Sequence, residues 1–538
     1  MKDTDKASEA ATPGAALSLY NRLTQDREPF LTRAIEASKY TIPTLVPPLG
    51  HTRSTRFYTP YQSIGARGVN NLASKLLLTL LPTNQPCFRL SIDQFTLEKL
   101  GSDPAAKADV DSKLNKMERA VQNKIETEAI RVPAFEAMRH LVVAGNMLAY
   151  MPKEGGMRIF HLHNYVLQRD PMGSVLDIVV KESVSPAVLS AEIRDLIAPG
   201  GEEAQEAALS RDKSVDMYTH VSWSTEDNRW NVYQEVKGIR IPTSVGTYPK
   251  DKSPWIAARL GTVDGESYGR GFVEEYIGDI RSLEGLSQAI VEGSAAAAKI
   301  LFLVAPNGTT EISDLANTES GGFAPGSAAD VSVLQLEKYN DFRVALETMK
   351  AIDERLAFAF MLNSSVQRSG ERVTAEEIRF MAQELESSLG GVYSILSQEF
   401  QLPMVTRLMF RMQRSGELPT LPKGIVSPVI TTGLDALGRG NDLNKLDTFM
   451  SAIMQIPEAA SRLNWSNYMT RRATALGIDT EGLIKTDEQV QAEQAQAQQQ
   501  AMLQQGIAPA VTALGGMAKQ GISNHGKSQS SGPATAGS

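Results

Sequence analysis

Three groups of residues in this chain have the types and spacing that could do chemistry. Gly521-Ile522-Ser523-Asn524-His525-Gly526-Lys527-Ser528 fits the phosphate-loop pattern letter for letter, in which backbone amides and a lysine cradle a nucleotide's phosphates. Such a loop works only between a buried strand and a helix that supplies its N-terminus. Here both flanks are rich in Gly, Ser and Gln, so the string reads as a coincidence of biased sequence, without ATP binding.

Glu235-Val236-Lys237, with Asp227 upstream across a turn, matches the acid-plus-Glu-x-Lys arrangement by which some nucleases hold magnesium. A three-residue pattern is common by accident, and a cross-strand charge pair is the plainer reading. His161 and His163 alternate on a predicted strand, which turns both imidazoles to one face. No cysteine or third histidine stands near them in sequence to complete a zinc site, so ordinary hydrogen-bonded histidines are expected. No metal, cofactor or catalytic residue is therefore assigned.

A fourth group is electrostatic. Glu274, Glu275, Asp279 and Glu284 crowd one predicted helix, and between Glu266 and Glu292 six acids face two bases, Arg270 and Arg281. A solvated helix face explains this as simply as a functional acidic lining does.

The elements that position these groups follow from apolar spacing. Leu17, Tyr20 and Leu23, then Ile64, Leu72, Leu76 and Leu80, predict helix between about Ala15 and Leu81, interrupted by Pro43, Pro47 and Pro48. Further helices are expected over 105–128 and 133–144. Between Met157 and Leu260 short β-rich runs take over, at 158–163, 175–181, 216–223, 230–236 and 255–260, separated by turn residues.

Beyond Gly265, Val273, Tyr276, Ile280, Leu283, Leu286 and Ile290 share one face and predict a rod of about thirty residues, roughly 45 Å long. Residues 305–333 are rich in Gly, Pro, Ser, Thr and Asp and predict an excursion with little helix. A second rod follows over 341–362, striped by Phe342, Leu346, Met349, Ile352, Leu356 and Phe360. A third helix opens at Thr374, capped with Glu377, with a kink at Gly390-Gly391 and a break at Pro403. A smaller helical region spans 433–478. From Gln489 to Gln505 nine of seventeen residues are Gln, a composition that buries too little apolar surface to offset ordering entropy.

Bulk composition narrows the function. The chain has 538 residues, 42% of them hydrophobic, enough for a large core and several modules. Acids outnumber bases 62 to 54, and a net charge of -8 argues against broad phosphate neutralisation of a nucleic acid. Cys87 is the only cysteine, so no intramolecular disulfide exists, and a small core residue is expected there. The longest apolar runs are too short to span a bilayer, and Met1-Lys2-Asp3-Thr4-Asp5 does not open a signal peptide.

Three strings carry a family resemblance: Pro60-Tyr61-Gln62-Ser63-Ile64-Gly65-Ala66-Arg67-Gly68-Val69-Asn70-Asn71-Leu72-Ala73-Ser74-Lys75-Leu76, then Asp264-Gly265-Glu266-Ser267-Tyr268-Gly269-Arg270, and the segment from Phe358 through Arg368-Ser369-Gly370-Glu371-Arg372-Val373-Thr374 to Arg379. With the order rod, excursion, rod and kinked helix, the chain resembles the portal, or head-to-tail connector, family of T-seven-type short-tailed bacteriophages from about Leu17 to Thr486.

The resemblance implies a mainly α chain with an α+β wing, assembled as a ring, usually a dodecamer, at one capsid vertex of the virion. Residues 1–265 correspond to the wing, 266–299 and 341–362 to a two-helix stem, and 300–340 to the clip. Residues 363–373 correspond to a tunnel loop, 374–432 to a kinked wing helix and its return, 433–486 to the crown, and 487–538 to a low-complexity tail. Double-stranded DNA passes through such a ring without sequence readout, driven by a separate ATPase. The expected partners are the terminase motor, scaffolding protein, major capsid protein, tail adaptor and internal core proteins, with no membrane; assembly takes place in the host cytoplasm.

Within the tunnel loop, Arg368 and Arg372 are expected to contact DNA phosphates, with Gly370 making the turn and Glu371 tempering the attraction; pairing of the arginines with Glu371, Glu376 or Glu377 is the plainer alternative. Glu274, Glu275, Asp279 and Glu284 are expected to line the stem. A channel for a polymer with one charge per about 1.7 Å must not bind it tightly, and acidic rods meet that need. A magnesium nuclease acting through Glu235 and Lys237, and another helical virion component, are the competing readings.

Overall fold

The computed structural model describes residues 14–82, 87–92, 104–186, 214–297, 301–319, 321–334, 339–362, 375–388, 391–418, 428–431 and 447–455, with a few isolated positions besides. Residues up to Gly438 form one unit and Arg439–Ser538 a second. The described chain is mainly helical, with sheets concentrated between residues 146 and 259.

Helix α1, Ala15–Tyr40, buries Ala16, Tyr20, Leu23, Arg27, Leu31, Ala34 and Ala37 along one stripe, the spacing of a helix face. It ends three residues before Pro43. Helix α2, Ile64–Leu80, starts where Gln62 Oε1 accepts the Gly65 amide at 2.9 Å, and its stripe of Ile64, Val69, Leu72, Leu76 and Leu80 enters the main core. Strand β1, Arg89–Ile92, and helices α3, Pro104–Thr127, and α4, Arg131–Ala144, follow within a residue or two of expectation at most helix ends. Cys87 is buried in this core as predicted.

Among the described residues, the β-rich region holds two sheets. Strands β2, Asn146–Tyr150, β3, Arg158–Phe160, and β9, Trp255–Arg259, form a sheet of three with β2 central. Strands β4, Tyr165–Arg169, β5, Val175–Val184, β6, Val215–Ser224, β7, Arg229–Val236, and β8, Ile239–Pro249, form an antiparallel meander in chain order. The β7–β8 turn places Lys237 and Gly238 at φ 50° and 78°, the geometry of a tight two-residue hairpin. One face of the meander takes Tyr20 and Leu23 of α1 against Val166, Val179, Tyr218 and Tyr233.

The predicted strand 158–163 is corrected: it ends at Phe160, and Leu162–Asn164 form a single 3₁₀ turn. His161 and His163 therefore do not alternate on a pleat. Their imidazoles instead reach back to the proline-rich segment after α1, at the carbonyls of Leu45 (3.0 Å) and Pro47 (2.7 Å).

The first rod is shorter than predicted. A single turn, α5, Phe272–Glu275, is separated by Tyr276 from α6, Ile277–Ala297, whose 21 residues span about 32 Å. Strands β10, Leu301–Val304, and β11, Val331–Leu334, pair antiparallel at the base of the excursion, whose described residues include a short helix, α7, Ile312–Asn317, and a 3₁₀ turn, Ala328–Asp330. The second rod, α8, Tyr339–Ala359, returns antiparallel to α6. Arg355 meets Asp279 at 3.0 Å, Ser287 meets Met349 at 3.5 Å, and Phe342 lies against Gly293.

The third helical stretch is more broken at the glycines than at the proline. Helix α9, Ala375–Ser388, stops before Gly391, whose φ of 89° is left-handed. Helix α10, Val392–Leu396, then runs through a π turn, Ser397–Gln401, into α11, Leu402–Ser415. Pro403 does not break this run. It falls in the first turn of α11, directly after the wider π turn, where its missing amide costs little. Thr374, the expected cap, lies outside the described residues, as do nearly all of 433–538, including the 521–528 string. Strand β12, Pro428–Thr431, pairs with β1.

Candidate functional site

The described residues assemble a polar clamp at the end of α8, immediately before the segment 363–373. Asn71 Nδ2 donates to the carbonyls of Phe360 (2.9 Å) and Met361 (3.1 Å), and Lys75 Nζ donates to Met361 at 3.1 Å. These carbonyls belong to the unpaired C-terminal end of the helix, where a cation complements the macrodipole. Met361 holds a left-handed φ of 55°, which ends the helix sharply. Lys75 is buried; burial lowers its pKa, while Glu384 of α9, 3.9 Å away, opposes that effect. Two turns before Lys75 on α2, Gly68 lets Phe360 seat directly on the backbone: a Cβ there would lie 2.5 Å from Phe360 Cγ. Arg368, Gly370, Glu371 and Arg372 lie outside the described residues.

The four acids of the first rod separate into different environments. Glu275 is exposed. Asp279 pairs with Arg355 across the rods. Glu274 sits between Arg33 of α1 and Arg270, each at 3.1 Å. Glu284 departs from the expected lining: it is 4% exposed, and its carboxylate accepts from the Tyr58 hydroxyl (2.6 Å) and from the Tyr61 (2.8 Å) and Gln62 (3.3 Å) amides. That bond, more than burial, pushes the Tyr58 hydroxyl up to about 12. Glu284 is thus an anchor for the 58–62 segment, and its charge is spent inside the fold.

The string 264–270 is a backbone junction. Gly269 exchanges hydrogen bonds with the Asn146 side chain at 2.7 and 2.8 Å, and Tyr268, fully buried, accepts the Leu167 amide at 2.9 Å. A Cβ on Gly271 would lie 2.3 Å from the Val143 carbonyl oxygen, so only glycine permits the approach of this segment to the end of α4.

The nuclease arrangement is not assembled. Asp227 lies in the turn before β7 and Glu235 near its far end, about 26 Å apart along an extended strand. Glu235 is 1% exposed and accepts the amides of Ala16 (3.1 Å) and Leu17 (3.4 Å), closing the N-terminus of α1 in place of a side chain from Gly14. Asp227 bonds Ser224 in its own turn. Sequence reading also missed Arg27, buried among carbonyls of Leu162 (3.1 Å), His163 (2.7 Å) and Tyr165 (3.1 Å), which ties α1 to the β-rich region. An arginine falling on an apolar stripe was the available signal. No described helix is long and apolar enough to cross a membrane.

Among known proteins, the chain is 45% identical over 524 residues to the portal protein of Escherichia phage T7, covering 96% of each. It is 46% identical over 483 residues to the portal protein of Enterobacteria phage T3, covering 89% of each. Among solved structures, the neck of an empty gene transfer agent particle aligns at a TM-score of 0.36 and 11% identity, over 78% of this chain and 90% of that one. The family model described as bacteriophage head to tail connecting protein matches residues 14–484. With the family match spanning most of the chain and the portal relatives matching nearly end to end, the chain belongs to the bacteriophage head to tail connecting protein family.

Proposed function

We propose that this chain is a portal subunit that assembles into a ring, a dodecamer in the mature particle, through which double-stranded DNA is packaged and later ejected. One observation carries this reading: near-half identity to two phage portal proteins along almost the whole chain. The geometry supports it. The antiparallel rods leave Val291, Val344, Leu346 and Phe358 exposed, with Phe358 81% accessible, apolar side chains on more than one face that neighbouring copies would cover.

In this reading 1–265 is the wing, 266–299 and 341–362 the stem, 300–340 the clip, 374–432 the kinked wing helix and return, and 433–486 the crown. The clamp of Asn71 and Lys75 on Phe360 and Met361 fixes the root of the tunnel loop, 363–373, from which Arg368 and Arg372 reach DNA phosphates. Gly370 makes the loop's turn and Glu371 limits its grip. Glu275 contributes to an acidic stem, with Asp279 and Glu274 shared between that role and their arginine partners. A separate ATPase supplies the energy, and the terminase motor, scaffolding protein, major capsid protein, tail adaptor and internal core proteins are the partners.

Electron microscopy of the purified full chain tests the ring. A closed ring around a duplex-width channel is expected; monomers or open filaments would refute the reading. Within it, Arg368→Ala/Arg372→Ala keeps the ring and weakens retention of packaged DNA, and undiminished retention would remove the two arginines from that role.

A further inference from the structure

Helix α4 and the turn after β3 bring together a third histidine that the sequence does not place beside the other two. His140 is 1% exposed, and neither ring nitrogen has a hydrogen-bond partner among the described residues. A neutral imidazole always carries one N–H and one lone pair, so a buried ring with both unmet is costly unless something occupies the space beside it. Beside it lie His161, ring centroids 4.8 Å apart and edge to face, and Glu136, one helical turn earlier, with Oε1 3.9 Å from His140 Nε2. One ligand atom from each of the three residues lies within 4.8 Å of the others.

The tautomer of His161 is set by its partner. The Leu45 carbonyl oxygen only accepts, so His161 Nδ1, 3.0 Å from it, is the protonated nitrogen. Its Nε2 is left with a lone pair, and the imidazole is aligned by an outer hydrogen bond of the kind that orients metal-bound histidines. The nearest cation on the helix is directed elsewhere: Arg139 Nε donates to Asn70 Oδ1 at 2.9 Å, and its guanidinium stacks on Phe135.

We propose that Glu136, His140 and His161 bind one divalent transition-metal ion, zinc by the character of the ligands. Two imidazoles and one carboxylate are a common zinc set that leaves a fourth position for water. Ligand atoms about 2.0–2.2 Å from a tetrahedral ion stand roughly 3.4 Å apart, so the site closes by about an ångström on loading. Glu136, with 46% of its side chain exposed, supplies both that movement and the entry path. A bound ion cross-links α4 to His161 at the start of the turn Leu162–Asn164, and the His161 hydrogen bond to the Leu45 carbonyl links that centre to the segment after α1.

Full-length protein stripped with chelator and dialysed against zinc tests the site, with cobalt as the spectroscopic probe. One zinc per chain, a visible tetrahedral cobalt band and a higher melting midpoint are expected. Glu136→Gln, a change at a half-exposed helix position, keeps the fold and weakens zinc at least tenfold. Glu136→Gln/His161→Gln removes the cobalt band. No zinc retained on dialysis, or stoichiometric zinc and an unchanged cobalt band in the double variant, would overturn the proposal.

Discussion

Lys75 Nζ donates to the Met361 carbonyl oxygen at 3.1 Å, joining a helix near the start of the chain to the last residues of the second rod. The charge sits where helix carbonyls lack partners, so its contribution is local to that end. Lys75→Met keeps the apolar stem and removes the donor. Exchange protection of the Phe360 and Leu362 amides, which close the helix onto Leu356 and Ala357, should fall about tenfold, the loss of roughly one charged hydrogen bond. Unchanged protection would show that the clamp does not hold the helix end.

Gly68→Ala places a methyl carbon 2.5 Å from Phe360 Cγ. Phe360 is fully buried and in edge contact with Phe272, 5.5 Å between centroids, so it has little room to yield. A loss of about 1–3 kcal/mol in urea unfolding is expected from overpacking. Relief of that loss in Gly68→Ala/Phe360→Leu would tie it to this contact, whereas an equal loss in both backgrounds would not.

Glu235→Ala removes the acceptor that closes α1 and strands one buried and one part-buried amide. The expected cost is about 2 kcal/mol, in the range of a lost helix cap with a charged partner. Glu235→Gln keeps an acceptor oxygen and should cost less. Equal effects of the two changes would place the importance of Glu235 in packing instead of capping.

Burial pushes the Cys87 thiol up to about 12. Since the thiolate is the reactive form, labelling by a maleimide or an aromatic disulfide at pH 8 should be at least a thousandfold slower in the native chain than in urea. Rapid native labelling would mean that the core around Cys87, whose carbonyl accepts from Gln401 Nε2 at 2.6 Å, opens readily.

The helices were legible because their apolar residues recur every three or four positions, and Pro43 and Gly391 interrupt them by local chemistry. Strand β8 was not legible. Ile239-Arg240-Ile241-Pro242-Thr243-Ser244-Val245-Gly246 contains a proline and a glycine, yet among the described residues it forms an edge strand paired with β7 alone, where both are tolerated. The Lys237-Gly238 turn was its one clear signal. Glu284 was misread for a different reason. Nothing around it on the helix separates it from its exposed neighbours, and the groups that bury it, Tyr58, Tyr61 and Gln62, lie more than 220 residues away. His140 and His161 likewise sit on different elements, and only the packing of α4 against the turn after β3 puts them side by side.

The two rods share one fixed end. Near Glu274, Arg281 and Glu284 the first is held by ion pairs and hydrogen bonds to α1 and the 58–62 segment, whereas Ser294, Ala295 and Ala296 at its other end are exposed. Such a pair is a lever. Over about 32 Å of helix, a tilt of ~5° at the held end would displace the other by about 3 Å. A rotation of a few degrees about the held end would therefore be read out as a displacement of ångströms at the free one.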